Sequence, residues 1–366
     1  MKIDTFKLER YFAEFEFSAK FLLSSSDCEP LGLNELLEMA DDESHKQWIN
    51  LKFAYTESQG LPVLREQIAS MYEGIHPDQV IILGPQEGIF LTMNTLLESG
   101  DEVGSTFPGY QSLYEVAKSK GCKVSYWKPD QNHEFSIQDL ELLVGSDTRM
   151  LVMNFPHNPT GAILTRIQFD QVVELCRKHD IILFSDEMYR YLEYDTEDRL
   201  PSAAEVNENS VTLCGMSKSF ALPGLRLGWL IIHQPDWLQS VQNFKDYTTI
   251  CPPAPSEILA LIGIKNKDQI ITRNLEIIRR NILLMEEFEV SHPDFIRWIP
   301  PKAGSIAFPE LLLSKDIEHF CRCLIKKTGV MLLPSTVYDY PGSYFRLGLG
   351  RTGFSDGLAA LDNFLK

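Results

Sequence analysis

Gly215-Met216-Ser217-Lys218-Ser219-Phe220-Ala221-Leu222-Pro223-Gly224-Leu225-Arg226-Leu227-Gly228-Trp229 is the stretch from which the rest of the chain can be read. The apolar run Val211-Thr212-Leu213-Cys214 precedes it, and a second apolar run follows Arg226. A lysine at the mouth of a buried strand is costly to desolvate unless something uses it. Near other cations such a lysine loses its proton more easily, and its amine can then attack a carbonyl carbon. Arg226 is a fixed cation suited to a phosphate. One Lys-Ser pair also fits a solvated surface loop, so the upstream sequence has to decide.

Short stretches that read as strands, most of them apolar, recur upstream and just downstream. They are Val80 to Leu83, Asp101 to Ser105, Cys122 to Trp127, Met150 to Met153, Ile181 to Phe184, Val211 to Cys214 and Leu227 to Ile232. Helical patterns lie between them: Ile89 to Leu97, Ser112 to Lys120, one opening at Ser136, and Gln168 to Lys178. This alternation predicts an α/β layer with a mostly parallel sheet. Sheets of that kind bind ligands in the loops after their strands. The loops here carry Gly84-Pro85-Gln86-Glu87-Gly88, Phe107-Pro108-Gly109-Tyr110, Asn154-Phe155-Pro156-His157-Asn158-Pro159-Thr160-Gly161 and Ser185-Asp186-Glu187-Met188-Tyr189. A strand, a glycine and a helix start present backbone N–H groups to an anion. Pro85 has none to give, so Gln86 and Glu87 must supply the amides. A carboxylate at the end of a buried strand, as at Asp186, is expensive unless paired.

Taken in chain order, Tyr55, Gly84, Tyr110, Asn158, Asp186, Tyr189, Lys218, Arg226 and Arg346 resemble the site of the fold-type I, class I/II aminotransferases, which use pyridoxal 5′-phosphate (PLP). The resemblance spans nearly the whole chain and is weakest in the N-terminal arm. It implies a large PLP-binding domain over 46–260, a smaller α+β domain over 261–366, and an arm over 1–45 that belongs partly to the small domain. It implies that Lys218 carries the cofactor as a Schiff base and shuttles a proton. Asp186 then pairs with the ring nitrogen, Asn158 and Tyr189 hydrogen-bond the ring oxygen, and Tyr110 stacks on the ring. Arg226, Ser217 and the amides of Gln86 and Glu87 take the phosphate. Tyr55 reaches the phosphate of the other subunit of a homodimer, and Arg346, with Asn158, holds the substrate carboxylate. The implied activity is transfer of an amino group between an amino acid and a 2-oxo acid by a ping-pong mechanism.

Three positions depart from the pattern. Phe155 stands between Asn154 and Pro156, Gly215 replaces the usual phosphate-binding serine, and Pro85 replaces an amide donor. His157 reads as a bystander. Lyases, cyclases and oxidases of this fold share the same residues, so they stay open as alternatives. The Arg10-Tyr11-Phe12 segment and Ser24-Ser25-Ser26-Asp27 are similar to the capreomycidine synthase-like members, which act on arginine derivatives. That similarity implies that Glu14, Glu16 or Asp27 faces a basic side chain. The three serines also fit simple capping of a helix over Leu33 to Met39.

Composition sets outer limits. The chain has 366 residues, 44% of them hydrophobic, enough for a large core and more than one domain. With 34 basic and 51 acidic residues its net charge is −17, which argues against nucleic acid or an anionic membrane as partner. A PLP-binding regulator without turnover is a further alternative. It usually needs an added DNA-binding domain of roughly 60–70 residues, on ordinary domain sizes, for which neither end has room. Seven scattered cysteines without a Cys-x-x-Cys pair point to reduced thiols, a cytoplasmic location and no metal site. No signal core and no membrane-length apolar run is present.

Overall fold

The computed structural model describes residues 2–313 and 316–366. Met1 of the expected arm and residues 314 and 315 of the expected C-terminal domain lie outside that range. Seven strands form the central sheet: β1 (Val80–Leu83), β2 (Glu102–Thr106), β3 (Lys123–Trp127), β4 (Thr148–Asn154), β5 (Ile182–Asp186), β6 (Ser210–Gly215) and β7 (Gly228–Ile232). Their spatial order is β1-β7-β6-β5-β4-β2-β3. Neighbours pair in parallel except β7, which is antiparallel to both β1 and β6. The predicted mostly parallel α/β layer is therefore the observed one.

The sheet interior is apolar on both faces. Val80, Ile81, Ile82 and Leu83 are all buried, as is every residue of β5, β6 and β7. Full burial of one such aliphatic side chain is worth about 1.5–3 kcal/mol, so these strands fix the layer while their end loops remain available for polar work. Each strand from β1 to β6 except β3 ends at a stretch singled out above. Because β7 runs the other way, its start lies at that same rim. This brings Arg226, just before β7, back beside the loop that follows β6.

After the sheet the chain runs through two helices, Ala254–Lys265 and Lys267–Ser291, separated at Asn266. The Asn266 amide donates 2.9 Å bonds to the carbonyls of Ile262 and Met39, which caps the first helix and ties the break to the arm. At the N-terminus, α1 spans Lys7–Phe15. Its first residue forms an ion pair with Asp339, and Glu14 pairs with Arg322 at 3.0 Å. Glu14 is thus turned away from the ligand face, and this overturns its candidacy as a partner for a basic side chain. Among the described residues no helix is long and apolar enough to cross a membrane.

Candidate active site

A cavity of about 450 Å³ opens at the rim of the sheet. Lys218, Ser217, Asp186, Tyr189, Asn158, Tyr110, Arg226, Arg346 and Gln86 all line it. These positions are up to 260 residues apart in the chain (346 − 86); the strand order of the central sheet brings most of them together, and a separate small sheet brings Arg346.

Lys218 follows β6 and is partly buried. Its Nζ donates to Ser26 Oγ at 2.7 Å. Burial lowers its pKa; Arg346 and Arg226 push the same way, while Asp27 and Glu9 oppose them. Asp186 closes β5, and its pKa is raised to about 7 by burial, against a 3.1 Å bond from the Met188 N–H and the charge of Lys218. Asn154, paired with Asp186 in the sheet register, bridges two site loops. Its amide donates to the Asp186 carbonyl at 3.0 Å, and its Oδ1 accepts from the Asn158 N–H at 2.9 Å. Three buried polar atoms in this cavity have no hydrogen-bond partner among the described residues: Asn158 Oδ1, the Tyr189 hydroxyl and Ser217 Oγ. Buried polar atoms left unpaired are costly, so a bound group is expected to meet them. His157 is buried away from the cavity, its Nδ1 2.7 Å from Thr160 Oγ1.

The anion end shows why the sequence departs there. Pro85 occupies the first turn of α2 (Pro85–Leu96), with Gly84 before it. A Cβ built on Gly215 meets Pro85 Cγ at 3.1 Å, Gly228 Cα at 3.0 Å and the Leu227 carbonyl oxygen at 3.2 Å. The proline ring and the missing serine are therefore two sides of one packing arrangement. Gly84 N–H is taken by the Glu87 carboxylate at 3.3 Å, and the other Glu87 oxygen accepts from Thr248 and Thr249 at 2.5 and 2.8 Å. The Glu87 side chain thus lies outside the cavity, whereas Gln86 lines it. Arg226 is exposed, has a left-handed φ of 53°, and among the described residues bonds the Pro223 carbonyl at 3.0 Å and no carboxylate. It stands at the cavity as a cation without an acidic partner there. Gly215→Ser is expected to cost about 1–3 kcal/mol of stability by overpacking, and adding Pro85→Ala to recover part of it. Denaturant unfolding of both single variants and the double variant checks this; strictly additive costs would show that ring and hydroxyl do not compete for the space.

Arg346 lies on β8 (Phe345–Gly348) of a small sheet and is 2% exposed. Its Nε and Nη2 donate to the Ser24 carbonyl at 3.1 and 2.9 Å, and Nη1 donates to the Tyr338 hydroxyl at 3.0 Å. A guanidinium has five N–H groups, so one hydrogen remains on each terminal nitrogen. That pair matches a carboxylate.

Of the wall that α1 and its C-cap contribute, sequence reasoning marked Glu16 and missed Leu8 and Glu9. Leu8, Glu9, Phe12 and Glu16 face the cavity. The Phe12 ring centroid lies 5.5 Å from the Arg346 guanidinium carbon, and Glu9 accepts from the Tyr110 hydroxyl at 3.0 Å. Their spacing at positions 8, 9, 12 and 16 is one helical face, the single signal that could have marked them. Ser26 and Asp27 also line the cavity. The serines do not cap the next helix, whose first residue, Leu33, is preceded by Gly32. Asp27 accepts two bonds from Arg351, at 3.0 and 2.9 Å. Tyr55 is 89% exposed and does not line the cavity of its own chain.

The family model for aminotransferases of class I and II matches residues 20–353. The chain belongs to this family. Among relatives of this aminotransferase-family chain, capreomycidine synthase of Streptomyces vinaceus is 27% identical over 365 residues, covering 98% of this chain and 93% of that one. An aspartate aminotransferase of Sulfolobus acidocaldarius is 27% identical over 314 residues, covering 81% and 78%. A PLP-dependent aminotransferase from Streptococcus suis superposes with a TM-score of 0.93 at 28% identity, over 100% and 98% of the two chains. The PLP-dependent cyclase OrfR superposes with a TM-score of 0.92 at 26% identity, over the same shares. The family is PLP-dependent, and this aminotransferase-family cavity fits that cofactor. It sets a lysine amine bonded to a hydroxyl, a buried carboxyl, three polar atoms without partners among the described residues and an arginine with no acidic partner there around one space.

Proposed function

We propose that this chain is a transaminase, moving an amino group from an amino acid to a 2-oxo acid in two half-reactions. The observation that carries the reading is the shared cavity of the Lys218 amine and the two spare N–H groups of Arg346. Arg346 binds the substrate carboxylate and so fixes the α-carbon. Lys218, its amine kept neutral more easily by burial, holds the cofactor and later takes the α-proton and returns it. Asp186 is placed to pair with the cofactor's ring nitrogen, Asn158 and Tyr189 with its ring oxygen, and Tyr110 with its face. Arg226, Ser217 and the first amides of α2, at Gln86 and Glu87, are placed for the phosphate. Bound PLP supplies an electron sink for the bond broken at the α-carbon.

We assign the cofactor to a domain over 46–260 and the carboxylate clamp to one over 261–366 that the arm joins. The second copy in a homodimer supplies Tyr55. Tyr55, Phe53 and Tyr247 are each at least 87% exposed, and Thr56 bonds the Pro252 carbonyl, so these aromatics sit on adjoining segments. A patch of that kind suits an interface. Full activity in a sample that sediments as a monomer would remove this role.

A second reading, a cyclase, lyase or oxidase acting on a basic amino acid, is favoured by the charge of the α1 wall. Glu9 and Glu16 have no ion-pair partner among the described residues, and Glu16 has its pKa raised by burial and by Asp27 and Glu9. The synthase and the cyclase among the relatives fit this reading by name. Screening amino acids with a 2-oxo acid acceptor, and identifying the products, separates the two. A 2-oxo acid formed from the donor supports transamination; a cyclised or shortened product supports the second reading. Under that second reading Glu16→Gln is expected to raise KM for basic substrates about fivefold, the upper range for a solvent-screened pair, and to leave KM for alanine unchanged. An equal effect on both removes Glu16 from substrate selection.

A further inference from the structure

The hydroxyl that receives the Lys218 amine comes from a segment 192 residues earlier in the chain. That segment is held rigidly. The N–H of Gly348 donates to the Leu23 carbonyl at 2.7 Å, and the N–H of Glu29 to the Gly350 carbonyl at 2.7 Å. Between them the Ser24 carbonyl takes two bonds from Arg346, and the Ser26 carbonyl takes one from the buried Ser305 hydroxyl at 2.8 Å. The approach is so close that a Cβ on Gly348 would lie 1.9 Å from the Ser25 carbonyl oxygen. The backbone that carries Ser26 is therefore pinned by the strand carrying the carboxylate clamp.

We propose that Ser26 is a further catalytic residue, whose hydroxyl docks the Lys218 amine whenever that amine is free and so aims it during proton transfer. The inference rests on the role given to Lys218 above. A lysine amine turns freely about its terminal C–N bond. Committing one N–H to Ser26 leaves the neutral amine's lone pair two of its three staggered directions, both turned away from Ser26. In the transfer the lone pair takes the substrate α-proton, the amine becomes an ammonium, and the same nitrogen gives the proton back. Ser26 accepts one N–H throughout and keeps its own proton. Ser26 also acts to lower the pKa of the nearby Tyr189 hydroxyl, although burial raises it overall.

Ser26 also binds the charged amine better than the neutral one, as acceptors do. The carboxylates of Glu9, Glu16, Asp27 and Asp186 and the guanidinium groups of Arg226 and Arg346 act on the same amine, as does the Cys28 thiol. None of these is altered by Ser26→Ala, so a shift in that variant belongs to the hydroxyl. The experiment mixes cofactor-free protein with PLP across a range of pH and follows the absorbance change of covalent uptake. The rate tracks the neutral fraction of Lys218. For Ser26→Ala its midpoint is expected to fall by about one pH unit. In steady state kcat is expected to fall about 10- to 100-fold with KM little changed. Ser26→Thr, which keeps a hydroxyl, is expected to restore both. A wild-type midpoint with wild-type kcat in Ser26→Ala overturns the proposal. So does a rise in KM alone, which makes Ser26 part of the substrate wall. Turnover that survives Lys218→Ala instead overturns the function proposed above, whatever Ser26 does.

Discussion

Lys218→Ala is expected to lower turnover by at least about 10⁴-fold, the combined loss of a nucleophile and a proton shuttle. The cavity itself should survive. Lys218 has one hydrogen bond, to Ser26, and the loop around it is held by other bonds: Met216 N–H to the Leu227 carbonyl, and Ser219 Oγ to the Met188 and Arg190 carbonyls at 3.2 and 2.5 Å. The variant should therefore fold and still take up PLP through Arg226, Asp186 and the amides at the start of α2, without the absorbance near the visible edge that marks covalent attachment. Lys218→Arg is the sharper control. It keeps a cation in the cavity, yet guanidinium does not give up its proton in proteins. If charge were all that Lys218 supplied, the arginine variant would retain activity; the proposed chemistry expects it to be as inactive as the alanine variant. A folded, cofactor-loaded Lys218→Ala protein with normal turnover would leave no catalytic role for the residue.

The strands were legible because their apolar runs have few other readings, and the site loops were legible because polar residues interrupt those runs at their ends. Strand direction was not. Hydropathy carries no sign for parallel or antiparallel, yet the reversal of β7 is what returns Arg226 to the rim beside Lys218. Close approaches were equally hidden. Gly215 and Pro85 are 130 residues apart (215 − 85) and read as two separate losses, although the ring of one fills the space a side chain on the other would need. Ser26 looked like a helix cap because serine before a helix usually is one. Its contact with Lys218 depends on how residues 23–29 thread against 346–351, and local sequence does not encode that. Glu14 and Glu16 were indistinguishable as letters. Two residues along a helix turn a side chain by about 200°, which sends Glu14 to Arg322 and Glu16 to the cavity.

Asp186→Asn is expected to stabilise the cofactor-free protein at high pH while removing most activity. An ordinary aspartate ionises near 3.8, whereas burial raises Asp186 to about 7. Between those values the folded chain keeps a proton that the unfolded chain has lost. Folding stability from this group is thus fully present below about pH 4 and falls as pH rises through 7. A shift of about three units corresponds to roughly 4 kcal/mol at most. Asparagine has no charge to bury, and its oxygen can still accept the Met188 N–H. Denaturant unfolding of the cofactor-free proteins should then show similar stabilities at pH 4 and a gain of about 2–4 kcal/mol for the variant at pH 8. Glu187 and Glu257 also have raised pKa values from burial, so both proteins lose stability with pH, and only their difference reports Asp186. If Asp186 pairs with a cationic ring nitrogen, as proposed, PLP would remove the penalty in the loaded wild type and stabilise wild type more than the variant, and more so at pH 8 than at pH 5. Activity should fall at least about 100-fold, the usual loss for one preorganised electrostatic partner. A variant equally stable at every pH would mean that Asp186 ionises without cost, and the ring-nitrogen assignment would lose its physical basis.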